Sequence, residues 1–261
     1  MDNAQVKKPF WKKRWFLWPL GLLVLIVFAL LIGLWRLNQP LPVGEKGPAA
    51  EAMANAFMEA INHQAWEQTG AVAWDFDGRQ QHLWDRKRQF ARVSWGQTEV
   101  LVNLRTQTGL AFREGRPVTG DEAGNLVRRA WAHWANDSFW LNPVSKLLDE
   151  GTERSRVVLE NGAVGLLVTY RSGGVTPGDS YLWFPGEDGR PNAWQMWVGI
   201  LPIGGLKATW EDWFQAETGV WLARNHKILG LRLELRDIRC AGSLQELTQG
   251  EDPFLGLQVQ P

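Results

Sequence analysis

The sequence predicts an α+β fold: an incomplete antiparallel β-barrel of about ten or eleven strands around a helical lid, preceded by one N-terminal transmembrane helix. Three observations carry this. Short segments alternate apolar and polar residues at spacings of roughly eight to ten residues, as in an up-and-down meander and unlike βαβ units. The alternation stops once, over residues 121–151, where apolar residues recur at helical spacing instead. Residues 16–35 form a run of twenty residues without a charge, and at about 1.5 Å each they span roughly 30 Å of hydrocarbon.

The apolar run comes first. Lys7, Lys8, Lys12, Lys13 and Arg14 precede it, and only Arg36 follows closely. The positive-inside rule then places segment 1–15 in the cytoplasm, the helix at 16–36 in the inner membrane and the rest outside. Trp15, Trp18 and Trp35 stand where interfacial aromatic belts form, and Pro19 falls in the first helical turn, where its missing N–H costs little. A cleaved signal peptide would have a shorter apolar core and small residues directly after it. Bulky Leu34, Trp35, Arg36 and Leu37 follow here, so an uncleaved anchor is expected. Residues 37–48 read as an extended spacer, 49–240 as one domain and 241–261 as a loosely held polar tail.

The whole chain balances 28 basic against 28 acidic residues, but residues 46–261 carry 22 against 26. A body with net charge −4 and no basic stripe excludes a nucleic-acid partner. The sole cysteine, Cys240, rules out an intrachain disulfide and reads as a small buried hydrophobe.

Residues 49–66 read as one amphipathic helix, with Met53, Phe57 and Ile61 on a common face. Strands follow at 72–76, 81–85, 89–95, 98–104 and 109–113, the first pair joined by a tight turn at Asp77-Gly78. In the central stretch Leu126, Ala130 and Trp134 lie four apart beside Val127 and Trp131, with Asp121 as the expected N-cap. Asn142-Pro143 stops the helix and starts a short second one over 144–148. Strands are expected again at 154–160, 163–170, 181–184, 193–198, 206–214, 220–228 and 231–238, with a two-residue hairpin turn at Asn161-Gly162.

Two segments resemble a known family. Residues 134–151 match a W-x-N-D-S-[YF]-W-L…P…K-L-x-D-x-G pattern, and residues 173–184 match G-x-T-P-G-D-x-Y-x-[VLW]-[YF]. Together they resemble an uncharacterised, membrane-anchored branch of the LolA/LolB-like superfamily of lipoprotein-localisation factors. The resemblance implies a half-barrel around helices enclosing an apolar cavity, which takes lipoprotein acyl chains in the best-known members. The segments also have plain physical readings: Thr176-Pro177-Gly178-Asp179 suits a type II turn, and Asp137 and Ser138 suit caps or local hydrogen bonds to the backbone where a helix ends.

The sequence holds no nucleophile elbow, Walker loop, dinucleotide fingerprint or C-x-x-C. His133 and Asp137 would share a helical face with Ser138 adjacent, yet one helix cannot align a nucleophile, a base and an orienter. Glu211 and Asp212 are consecutive on a strand and face apart. Neither catalysis, nor a metal, nor a cofactor is expected. Thirteen of the 17 tryptophans lie beyond residue 45. Trp131, Trp134 and Trp140 from the lid, with Trp183, Trp194, Trp210, Leu206 and Leu233 from strands, are the expected lining for an acyl-type ligand. Trp66 is expected outside that cavity. The same indoles could simply fill a wide core, which would suit an envelope interaction or sensor module beside a membrane-protein partner; a hydrolase ranks third.

Overall fold

The computed structural model describes residues 17–257, without the side chains of residues 17, 29–32, 34 and 35. The basic segment 1–15 lies outside the described residues. Helix α1 (Leu17–Leu37) carries the uncharged run, and its described apolar side chains stand in solvent. Among the described residues, no helix is long and apolar enough to cross a membrane.

The domain is an open, wholly antiparallel sheet of 14 strands, more than the ten or eleven expected. Two meanders build it. Strands β1 (Ala71–Phe76), β2 (Gln80–Asp85), β3 (Phe90–Trp95), β4 (Thr98–Asn103), β5 (Thr108–Arg113) and β6 (Arg116–Val118) follow one another. The second meander runs through β7 (Thr152–Val158), β8 (Val164–Tyr170), β9 (Ser180–Pro185), β10 (Pro191–Trp197) and β11 (Leu206–Thr209). Strands β12 (Glu211–Gln215), β13 (Trp221–Ile228) and β14 (Leu231–Ala241) complete it. Strand β14 pairs with β13 at one end and with β1 at the other, so one sheet runs from β6 to β7. The expected single strand over 206–214 is interrupted at Trp210, although β11 and β12 keep one register against β13 (Ala208↔Ile228, Glu211↔Asn225).

Helix α4 (Gly120–Leu141) leaves edge strand β6 and crosses the concave face toward β7. Its 22 residues span about 33 Å, and it packs on β3, β4 and β5 at one end and β13 at the other. The N-cap is Thr119, not Asp121; Asp121 and Glu122 sit inside the first turn, where their charge meets the positive end of the helix dipole. The helix stops at Asn142-Pro143, and the Asn142 side chain accepts from Ser145 N at 3.3 Å to open a 3-10 turn, Pro143–Lys146.

The expected helix over 49–66 is two, α2 (Pro48–Ala60) and α3 (His63–Gln68), because Asn62 adopts φ 56° and its side chain donates to Gly219 O at 3.0 Å. The break turns Trp66 into the core. It is buried against Trp84 and under the Arg86 guanidinium at 4.0 Å.

Both faces of the sheet are covered. On the concave face, one apolar cluster joins β1–β5 and β14 to α4, and another joins β8–β11 to α2 and the 3-10 turn. On the outer face the expected loose tail is held down through residue 257. Leu244 on α5 (Leu244–Thr248), Phe254 and Leu257 pack on Ala71, Leu83 and Leu101, and Arg88 grips Asp252 at 2.8 and 2.9 Å. The tail's few large apolar side chains outweigh its polar composition. The spacer is extended and also held: Glu45 bridges Arg156 on edge strand β7, and Gln39 O accepts from Trp197 Nε1 at 2.8 Å.

Turn chemistry agrees with sequence at Asp77-Gly78, where both residues have positive φ (55° and 70°), as a type I′ turn requires. At Asn161-Gly162 it differs. Only Gly162 has positive φ (82°), and Leu159 N donates to Ala163 O, so the loop holds three residues, not two. A Cβ at Gly162 would meet nothing within 4 Å, which leaves backbone strain as the whole cost of a side chain there. Gly162→Val is therefore expected to lower unfolding free energy by about 1–3 kcal/mol, read from a denaturant melt; an unchanged midpoint would refute the assigned turn.

Candidate functional site

The eight expected lining residues divide between the two concave clusters. Trp183 on β9, Trp194 on β10 and Trp210 after β11 are 0%, 0% and 3% exposed. Their ring centroids lie 4.7 to 5.5 Å apart, so the three indoles fill the space they share. Leu206 packs half-buried against this group. Trp131 and Trp134 on α4 and Leu233 on β14 belong to the other cluster, all half-buried, with Trp134 edge-on to Trp84 at 5.1 Å. Trp140 touches both clusters, 4.9 Å from Trp194 and tilted over His226 at 5.2 Å.

Water reaches the middle of α4. Residues 131–135 are all half-buried, so neither flank of the helix is sealed there. Beside them Phe214 on β12 and Trp95 on β3 are also half-buried and packed on the same cluster. These partly exposed apolar side chains, several of them indoles, make the strip along α4 the candidate groove. Two separate cavities lie elsewhere and are lined by none of the eight residues. One, of about 330 Å³, lies on the outer face beneath the C-terminal segment and mixes Arg92 and Arg239 with Asp75, Asp237 and Glu251. The other, of about 250 Å³, sits between the start of α4 and the β4–β5 turn.

Two histidines are buried beside the groove, and sequence patterns identified neither. His82 Nε2 lies 2.7 Å from Asp137 Oδ2, and its ring stacks on Trp74 at 4.3 Å. A carboxylate only accepts, so the Nε2–H tautomer donates, leaving Nδ1 without a partner among the described residues. Asp137 is thus no helix cap: it sits mid-helix and links α4 to β2, and Asn136 Nδ2 donates to its other oxygen at 2.8 Å. His133 lies one turn before Asp137 on α4, as expected, but accepts from Arg129 Nε at 3.2 Å and lies over Trp95. Ser138 Oγ donates to its own helix backbone at Ala135 O.

The second is His226 on β13, fully buried among Trp140 and Trp210. Its Nδ1–H donates to Thr209 O at 3.1 Å, and Nε2 has no partner among the described residues. Burial pushes its pKa down to about 4, because protonating Nε2 would bury a charge and an unpaired donor. Among the described residues, no group of three or more His, Cys, Asp or Glu could hold a metal. Cys240 is buried, and burial pushes its thiol pKa up to about 12.

No protein-family model matches the chain, and no curated protein does. Among solved structures, it is similar to a DUF1329 family protein from Desulfovibrio piger, at 10% identity over 73% of this chain and 92% of that one, TM-score 0.40. It is also similar to a putative outer membrane lipoprotein-sorting protein domain from Vibrio parahaemolyticus, at 9% identity over 74% and 96%, TM-score 0.30. Neither likeness bears on the chemistry of the groove.

Asp137→Ala leaves the His82 N–H buried without an acceptor and is expected to cost about 1–3 kcal/mol, whereas Asp137→Asn retains an acceptor and should cost clearly less; chemical denaturation of both variants reads the difference. His226 gives a pH signature. Its folded pKa of about 4 lies below the unfolded value near 6.5, so the unfolded chain binds the proton first as pH falls. Stability from this residue is complete above about pH 6.5 and is lost toward pH 4 at up to about 1.4 kcal/mol per pH unit. His226→Phe should flatten the stability profile in that window relative to wild type; parallel profiles would overturn the assignment.

Proposed function

We propose that the chain is a single-pass inner-membrane protein whose outward domain holds an apolar or acyl-type chain in the groove between α4 and the sheet. One observation carries this reading: Trp131, Trp134 and Trp140 on α4, with Phe214 and Leu233 on β12 and β14, are packed on the core yet keep part of their surface in water. A contiguous apolar strip of this kind gains free energy when an apolar ligand covers it. Each buried methylene contributes about 0.8 kcal/mol, so some ten carbons supply roughly 8 kcal/mol before ordering costs, enough for micromolar binding without a charged contact. The resemblance of segments 134–151 and 173–184 to the lipoprotein-localisation superfamily points the same way.

The twenty uncharged residues at 16–35 and the basic residues before them support the anchor, with the N-terminus in the cytoplasm. The acidic balance of residues 46–261 supports the absence of a nucleic-acid partner. The reading assigns binding and no catalysis: the side chains of His82 and Asp137 are enclosed in the core, 0% and 2% exposed. A second reading is an interaction or sensor module beside a membrane-protein partner. It is favoured by the interlocked Trp183, Trp194 and Trp210, which leave no void among themselves.

A photoactivatable fatty acid, crosslinked to the full-length chain in membranes and mapped by peptide mass spectrometry, separates the two. Label is expected on α4 and on β12–β14, lost in Trp131→Glu, where a carboxylate would enter the apolar groove unpaired. Val158→Glu, on an exposed strand end remote from the groove, should keep it. Label confined to α1, or undiminished in a folded Trp131→Glu variant, would favour the interaction module.

A further inference from the structure

The antiparallel order of the second meander places three connections at one end of the sheet: β8–β9, β10–β11 and β13–β14. In the order β14-β13-β11-β10-β9-β8 these connections lie two strands apart, or about 10 Å, in a row. They are poor in charge: in the first, SGGVTPG (172–178) is flanked by Arg171, which pairs with Glu153, and by the buried Asp179, while VGILPIGG (198–205) in the second and Leu229-Gly230 in the third carry none. Their apolar side chains point into water. Leu231 is 75% exposed, Ile200 71% and Leu229 70%, joined by Val175 and Leu201. The opposite ends of the same strands turn through Glu160, through Glu187, Asp188 and Arg190, and through Glu217. One end of this half of the sheet presents exposed apolar side chains, and the other presents charged turns.

Helix α1 joins the domain at the apolar end, and it does so without slack. It ends at Leu37. The next residue, Asn38, accepts from Gly204 N at 2.7 Å through its side chain. Gln39 N then donates to Gly204 O at 2.9 Å, and Gln39 O accepts from Trp197 Nε1. The residues that follow the apolar helix are thus bonded to the β10–β11 connection itself.

Building on the anchor proposed above, we infer that this apolar rim rests in the outer leaflet of the membrane that α1 spans, with Ile200, Leu201, Leu229 and Leu231 as its lipid contacts. A helix that crosses a bilayer delivers its outer end to the headgroup region, and here the domain is pinned at that point. Exposed leucines and isoleucines held at this depth sit at the boundary where apolar groups bury about 5–10 Å into headgroup and acyl region. The domain then stands upright on its apolar rim, with the charged turns facing away from the bilayer.

Depth-dependent fluorescence quenching tests this on the full-length chain reconstituted in phospholipid vesicles. Single labels are placed through Ile200→Cys, Leu229→Cys, Asn161→Cys at the far end and Val24→Cys within α1; Cys240 is buried and stays unlabelled. Nitroxides carried on lipid headgroups should quench the labels at 200 and 229 several-fold more than the label at 161, while deep acyl-chain nitroxides should quench the label at 24. Strong quenching at 24 with labels at 200 and 229 quenched no more than that at 161 overturns the rim assignment and leaves the anchor standing. Absence of quenching at 24 overturns the anchor, and the rim assignment with it.

Discussion

The pairing of β1 with β14 is the contact on which the rest of this structure depends. Each meander is local in sequence and would fold into a sheet with two open edges. Strand β14 is 11 residues long, enough to pair with β13 over its first half and with β1 over its second. The register shifts on the way, between the Ala73↔Arg239 and Asp75↔Arg236 pairs, and Asp237 takes φ 50° to absorb it. Because β1 and β14 lie about 160 residues apart in the chain, their pairing closes a long loop and its entropy must be recovered elsewhere. The recovery comes from α4, which packs on strands of both halves, and from Trp140, which belongs to both concave clusters.

Much of this was legible in the chain, for local reasons. Alternating residues located most strands, because a half-buried strand must alternate. Asp77-Gly78 and Thr176-Pro177-Gly178-Asp179 were readable because their φ requirements restrict the residue types: Gly178 has φ 105°, and Asp179 N donates back to Thr176 O. Asn142-Pro143 ended α4 as a proline must.

What escaped was long-range. Nothing in the neighbourhood of Asp137 indicates a partner 55 residues earlier at His82, so a local capping role was the natural expectation. The break in the helix over 49–66 escaped because Asn62 can adopt the left-handed region without glycine, redirecting the chain inward. The C-terminal segment reads as polar on average, yet Phe254 alone gives it a fully buried anchor. Sequence named the indoles but could not sort them by burial: Trp183 and Trp194 are wholly buried while Trp131 and Trp134 are half-buried.

The bridge between Glu45 and Arg156 has a consequence for solubility. A sheet of this width ends in two rows of unpaired N–H and C=O groups, each a template for another chain. One edge, β6, is only three residues long and carries Pro117, which offers no donor. The other, β7, is a full seven-residue strand, and the segment leading out of α1 lies along it, with Gly44 fitting against Arg156 O where a Cβ would come within 2.7 Å. The stretch that connects helix to domain is therefore also the guard on the sheet's longer edge. A chain cut between Glu45 and Lys46 would part the bridging segment and α1 from the domain and bare a strand able to recruit a second copy, so release from α1 and self-association would arrive together.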